Sequence, residues 1–225
     1  HNQQLMIVTL LITIGAPLAI ISFIIYSDKF KEPLDLIIKT FFLGIFLCYP
    51  AGELNYLLIQ SPDQTYFAGL TEESLKFLVL YFYIRPKTAF NEPMDAIVYG
   101  TIASLGFATL ENLSYVFVGS PFGSPDVDSM TIAIMRAISA IPLHASCGII
   151  MGYFFGLHAF LGSKSSLIKS LIIPISIHAT YNYLIGFGFL WFYFLFAVMF
   201  YAQSLHKQVS DLQLTKSMEQ ENKAI

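Results

Sequence analysis

Four short motifs put ionisable or amide side chains into otherwise apolar stretches of this chain: Glu72-Glu73-Ser74-Leu75-Lys76, Phe107-Ala108-Thr109-Leu110-Glu111-Asn112, His144, and His178-Ala179-Thr180-Tyr181-Asn182. Carboxylates, a lysine and imidazoles at membrane depth are costly, and by default they mark a functional site. If they converge, they supply a base, acids and oxyanion donors for hydrolysis within a bilayer. Glu72 and Lys76 are four apart and share a helical face, while Glu73 points about 100° away. One glutamate can then face a site as general base toward water while its neighbour orients a second group or pairs with Lys76. A buried ion pair holding helices together is the plainer reading, and it leaves the second acid unexplained.

Phe107 and Glu111 are also four apart, and Asn112 follows. Glu111 has no basic residue near it in its own apolar run, so its partner must come from another helix. His144 follows Pro142, a residue that can kink a helix, and precedes Gly148, Gly152 and Gly156, a spacing that lets another helix approach closely. His178 and Asn182 share one face and could together donate two hydrogen bonds to a developing oxyanion. Glu53 and Asn55 sit where they could line the same cavity and are read as structural. Arg136 is expected to snorkel outward or to pair with Asp126 or Asp128. The run Asn91-Glu92-Pro93-Met94-Asp95 reads as a helix start, with a cap, a proline at the first position and acids that favour the dipole.

These groups need elements that hold them at one level in an apolar medium. The 225 residues are 56% hydrophobic and only 12% charged, about half the charge of a soluble domain, with a mean hydropathy of +0.65. Hydropathy suggests an all-α polytopic membrane bundle of about seven helices, at roughly 5–26, 34–59, 67–84, 94–118, 131–160, 167–186 and 189–205. The first apolar run lacks a basic leader and is read as a retained span. Residues 1–206 form one integral membrane domain and 207–225 a short polar cytoplasmic tail. Lys29, Lys31, Arg85, Lys87, Lys164, Lys169 and Lys207 fall in alternate connections, which places the N-terminus outside and the C-terminus in the cytoplasm. The four motifs then lie within roughly 10 Å of the outer surface. A net charge of −3 without a basic stripe gives no surface for nucleic acid. Cys48 and Cys147 have no metal-binding or redox spacing.

No HExxH, paired intramembrane aspartates or Gly-x-Ser-x-Gly elbow is present. Three carboxylates at one depth repel, so either protons are shared among them or a cation sits there. His144, His178 and Glu111 make a His₂Glu set of the kind that holds a single catalytic zinc, and the metal and metal-free alternatives both stand. An ion- or proton-coupled transporter could also use a buried Glu/His/Lys relay, although the chain shows no clear internal repeat. A scaffold built on the glycine ridge leaves the acids without a role.

Glu72-Glu73-x-x-Lys76, Phe107-x-x-x-Glu111-Asn112, His144 and His178-x-x-x-Asn182, together with Glu92-Pro93-x-Asp95, resemble the motifs of the PrsW family of bacterial membrane proteases. That family is similar in turn to the type II CAAX prenyl proteases and bacteriocin-processing proteins. The chain departs from that wider group at Glu111, where a histidine is usual. The resemblance implies an intramembrane endopeptidase of the bacterial cytoplasmic membrane. Glu72 would be the water-activating base, Glu73 its support, and His178 with Asn182 the oxyanion pair. Glu111 and His144 would complete the catalytic set, with Lys76, Phe107 and Asn112 supporting it. It also implies the substrate, a membrane-anchored anti-sigma factor cut first on its extracytoplasmic side during stress signalling.

Overall fold

The computed structural model of the chain describes residues 2–119, 123 and 126–224. Eight α-helices account for most of them: α1 (Asn2–Ser27), α2 (Leu34–Leu58), α3 (Phe67–Leu78), α4 (Pro93–Phe117), α5 (Ser129–Ile138), α6 (Ala140–Leu161), α7 (Lys164–Leu184) and α8 (Leu190–Ala224). No strand occurs among the described residues. A π-helical turn, Val79–Ile84, prolongs α3. Each expected span falls on a helix. Three stretches are long and apolar enough to cross a bilayer: Gln3–Ser27, Leu34–Leu58 and Ser129–Leu161. Of the other helices, α3 has only 12 residues, and α4 and α7 carry polar motifs.

The expected kink near Pro142 is a break three residues earlier. Proline has no N–H for the carbonyl four residues back and its ring clashes there. That carbonyl belongs to Ile138, where α5 stops, and Ser139 takes non-helical angles of φ −127° and ψ −74°. The result is a short α5 separated from α6 by Ser139. The expected start of α4 is found as drawn: Glu92 and Asp95 form a reciprocal capping box, with Pro93 at the first position. At the other end of the chain α8 passes residue 206 without interruption, and His206, Val209, Gln213 and Ser217 are buried.

The core is organised around α4. Every residue from Met94 to Thr109 is buried, because α1, α2 and α6 enclose it. The glycine ridge of α6 lies against it. A Cβ on Gly148 would stand 2.8 Å from both the Gly100 carbonyl oxygen and Thr101 Cα, and one on Gly152 would stand 2.5 Å from Ile97 Cα. Such contacts let two backbones touch, and backbone cannot yield as a side chain can. Gly152→Ala is therefore expected to destabilise the bundle by about 1–3 kcal/mol, as overpacking does. The readout is a lowered melting temperature in detergent. Gly15→Ala, where nothing lies within 4 Å, serves as control and should melt no lower than wild type. Gly69 does the same service for α3 and α7: a Cβ there would meet the Ala179 nitrogen at 2.6 Å. This close approach brings Glu73 to His178.

Candidate active site

The site is assembled on α3. Its buried face carries Thr71, Glu72, Glu73 and Lys76, and each finds a partner on a different helix. Glu73 Oε1 accepts from Lys76 Nζ at 2.8 Å and from His178 Nδ1 at 2.7 Å. A carboxylate only accepts, so Nδ1 of His178 carries the proton and the lone pair of a neutral ring falls on Nε2. That Nε2 faces Glu72 Oε2 at 3.9 Å. Lys76 also reaches His144 Nδ1 at 2.9 Å, which makes Nδ1 the acceptor and puts the His144 proton on Nε2. This Nε2 then donates to Glu111 Oε2 at 3.1 Å. Thus both imidazoles have their tautomers fixed by a carboxylate. The rings stand edge to face with centroids 5.0 Å apart.

Glu111 takes its charge partner from α5, as its lone position in α4 required. Arg136 Nη2 donates to Glu111 Oε2 at 2.5 Å and its Nε to Asn112 Oδ1 at 2.6 Å. Arg136 therefore turns inward, against the expectation that it would snorkel outward or pair with Asp126 or Asp128. Asp128 instead caps α5, accepting from the Thr131 N–H at 3.0 Å. Asn112 completes its own bonding by donating to the Thr13 carbonyl of α1. Phe107 lies under the lysine, with Lys76 Nζ 4.4 Å from its ring centroid. An ammonium over an aromatic face in a dry site is favourable by about 2 kcal/mol.

Asn55, read from the sequence as structural, touches the site. Its Nδ2 donates to Glu72 Oε1 at 3.2 Å, and its Oδ1 accepts from the Thr71 hydroxyl at 2.5 Å. The hydroxyl fixes which end of the amide faces Glu72. Glu53, its near neighbour, is exposed. The sequence carried a sign of this: Asn55 lies on an apolar helix and Thr71 precedes the acid pair. Asn182 of α7 binds across to the segment before α3. Its Nδ2 donates to the Thr65 carbonyl at 3.0 Å, and no bond joins it to His178.

The assembly is one connected chain: Arg136, Glu111, His144, Lys76, Glu73, His178, then across 3.9 Å to Glu72, Asn55 and Thr71. Glu72, Glu73, Lys76, His144 and His178 are each no more than 3% exposed. Two buried oxygens have no hydrogen-bond partner, Oε2 of Glu72 and Oε2 of Glu73. With the lone pair on Nε2 of His178 they leave three acceptor atoms for which no hydrogen bond is found. Such groups cost free energy unless something binds them.

The relatives decide what that something serves. The description "PrsW family intramembrane metalloprotease" belongs to the family model that matches residues 32–204. The chain belongs to the PrsW family of membrane proteases. It is 32% identical over 197 residues to Protease PrsW of Bacillus subtilis, covering 83% of this chain and 86% of that protein. It is 33% identical over 187 residues to Protease PrsW of Geobacillus kaustophilus, 79% of each. For Protease PrsW of Clostridioides difficile the figures are 31% over 180 residues, 73% of this chain and 74% of the relative. No solved structure matches the chain. As a PrsW protease it is a peptide hydrolase that works in a membrane.

The family description implies a metal, and the residues present fit one. Glu72, Glu73, His144 and His178 have ligand atoms within 4.8 Å of one another. Imidazole nitrogen and carboxylate oxygen are donors that zinc takes. The two orphaned Oε2 atoms and His178 Nε2 are open to it. His144 becomes a fourth donor only if Lys76 leaves its Nδ1. Glu111, which the sequence grouped with the two histidines, is not among these four; its Oε2 serves Arg136 and His144.

Proposed function

We propose that this cluster hydrolyses a peptide bond of a membrane-anchored protein, with Glu72 as the base that activates water. The observation that carries the reading is the 3.9 Å gap between Glu72 Oε2 and His178 Nε2. A water at ordinary hydrogen-bond distance from both atoms fits that gap. Its proton passes to Glu72 as its oxygen attacks the scissile carbonyl, and the C–N bond then breaks with that proton returned from Glu72 to the leaving amine. Glu73 acts through His178, holding the ring so that Nε2 faces the water. Lys76 and Arg136 offset two of the three carboxylates and keep His144 between them. In the metal-bound alternative Glu73 and His178 would hold a zinc ion, which would supply a water of pKa about 7, and Glu72 would keep its part as base.

The chain is proposed to cross the bacterial cytoplasmic membrane seven times, with the N-terminus outside, residues 207–225 in the cytoplasm and the site in the outer half. The supports are the alternation of basic connections and the shared level of the motifs. The proposed substrate is a membrane-anchored anti-sigma factor cut on its extracytoplasmic side, an expectation that rests on the family resemblance.

The test uses purified full-length protein in liposomes with a membrane-anchored anti-sigma factor and, beside it, an unrelated membrane-anchored reporter. Wild type is compared with His178→Ala, and with wild type treated with chelator and then Zn²⁺. His178→Ala is expected to cut at least about 100-fold more slowly, as loss of a positioned proton-handling group does. Loss on chelation with recovery on Zn²⁺ assigns a metal; indifference to chelator assigns water activated by Glu72 alone. A folded His178→Ala that cuts at the wild-type rate places the site elsewhere. Cleavage of the reporter but never of anti-sigma factors overturns the substrate class only.

A further inference from the structure

A second polar cluster lies at the opposite end of α4, and the proteolytic site makes no use of it. Asp95 and Glu111 are sixteen residues apart on that helix, about 24 Å at 1.5 Å per residue. Around Asp95 gather Asp28 and Glu32 from the segment joining α1 to α2, Glu92 at the start of α4, and Tyr99 one turn further on. Asp28, Glu92, Asp95 and Tyr99 are buried. Gln213 of α8 bridges two of the acids, donating through Nε2 to Asp28 Oδ1 at 2.8 Å and to Glu92 Oε1. Tyr99 donates its hydroxyl to Glu32 Oε2 at 2.5 Å.

Four carboxylates are thus collected, and the nearby cation Lys216 of α8 is exposed and bears on Glu92. Within the described residues none of the four forms an ion pair with lysine or arginine. The nearest lysine in sequence, Lys31, spends its ammonium on the carbonyls of Ile25, Tyr26 and Asp28. Asp95 gives an independent sign of a ligand. Its Oδ2 accepts from the N–H groups of Asn91 and Glu92. Its Oδ1 is buried with no hydrogen-bond partner, and the Glu32 carboxyl lies beside the Asp95 side chain. Two carboxyls in contact must share a proton or hold a cation between them.

We infer that Glu32 and Asp95 hold a hard divalent cation of the Mg²⁺ or Ca²⁺ class at this end of the bundle, with the Tyr99 hydroxyl beside it. Every donor is oxygen, which suits these ions and not the softer transition metals. One or two carboxylates with the remaining positions filled by water is a usual way to hold Mg²⁺. Asp28 and Glu92, fixed by Gln213, add negative charge around it. The ion would fasten three parts together: the α1–α2 connection, the start of α4 and the distal part of α8.

The test reads stability and luminescence, not proteolysis, so it stands apart from the proposed active site. Full-length protein in detergent is stripped with chelator, and its melting temperature is followed as Mg²⁺ or Ca²⁺ is added. Tyrosine-sensitised Tb³⁺ emission, displaced by Ca²⁺, gives a parallel signal. The expected rise is about 4 °C or more at 100-fold excess over Kd. It should appear in wild type and in Glu72→Gln, and vanish in Glu32→Gln and in Asp95→Asn. Both variants keep the oxygen that accepts from Tyr99 or from the helix start. An unchanged wild-type melting temperature with either ion overturns the inference, as does an equal rise in both variants. A rise lost only in Glu72→Gln would put the ion in the proteolytic cluster. Melting that follows pH but neither ion would mean that the carboxyl pair shares a proton instead.

Discussion

Glu72→Gln should cut its substrate about 10²–10⁴-fold more slowly than wild type, the range a positioned general base contributes. The amide is nearly the size of the carboxylate, and its oxygen can still accept from Asn55 Nδ2, as Glu72 Oε1 does at 3.2 Å. The other oxygen, Oε2, has no hydrogen bond to lose, only the longer contacts with His178 and Lys76 at 3.9 and 4.0 Å. Folding and substrate binding should therefore stay close to wild type while kcat falls. Steady-state kinetics on a folded variant separate the two, because a lost interaction made only in the transition state lowers kcat and leaves KM. A change confined to KM would make Glu72 a binding group. Asn55→Ala gives a milder companion result. It frees the Glu72 carboxylate to rotate, so kcat is expected to fall by roughly tenfold, about the worth of one hydrogen bond to a charged group. Rescue by Asn55→Gln, whose longer amide can reach the same oxygen, distinguishes positioning from a packing defect.

Much of this site could be read from residue types and spacing, because apolar helices make every buried charge conspicuous. Glu72, Glu73 and Lys76 stood out in an apolar run, and the solitary Glu111 announced a partner on another helix. What spacing could not supply was which helices touch. Arg136 seemed free to reach water or the nearby aspartates, since nothing local indicates that the break at Ser139 would swing α5 across Glu111. Asn182 is four residues from His178 and shares its face, yet the loop before α3 offered the Thr65 carbonyl and took its amide. Likewise, the choice of Lys76 partner depends on rotamer: the i, i+3 pair with Glu73 closes to 2.8 Å while the i, i+4 pair with Glu72 stays at 4.0 Å. The helix start at Glu92 was legible from its capping residues. Its second use, as part of an acid cluster shared with Glu32 and Gln213, needed contacts between distant parts of the chain, 67 residues apart for Tyr99 and Glu32 and 121 for Gln213 and Glu92.

Lys76→Met is expected to destabilise the protein by about 3–5 kcal/mol, the usual cost of removing one partner from a buried ion pair. The ammonium is fully buried and serves Glu73, His144 and the face of Phe107 together. Without it Arg136 alone faces the carboxylates of Glu72, Glu73 and Glu111. Methionine fills the stem's volume, so the loss comes from charge, not from a cavity. The measurement is melting in detergent, with Lys76→Met/Glu73→Gln beside the single variants. The double variant removes the carboxylate that Lys76 bonded, and should recover part of the loss. A single variant that melts like wild type would mean that the cluster is already neutral through shared protons. Metal binding sharpens the same experiment. Lys76 occupies His144 Nδ1, the one donor of the four that is closed, so removing it opens the set. Zn²⁺ should then raise the melting temperature of Lys76→Met more than that of wild type, since a ligand's stabilisation grows with the logarithm of its affinity for the folded state. Equal shifts would show that the lysine and the metal do not compete for His144.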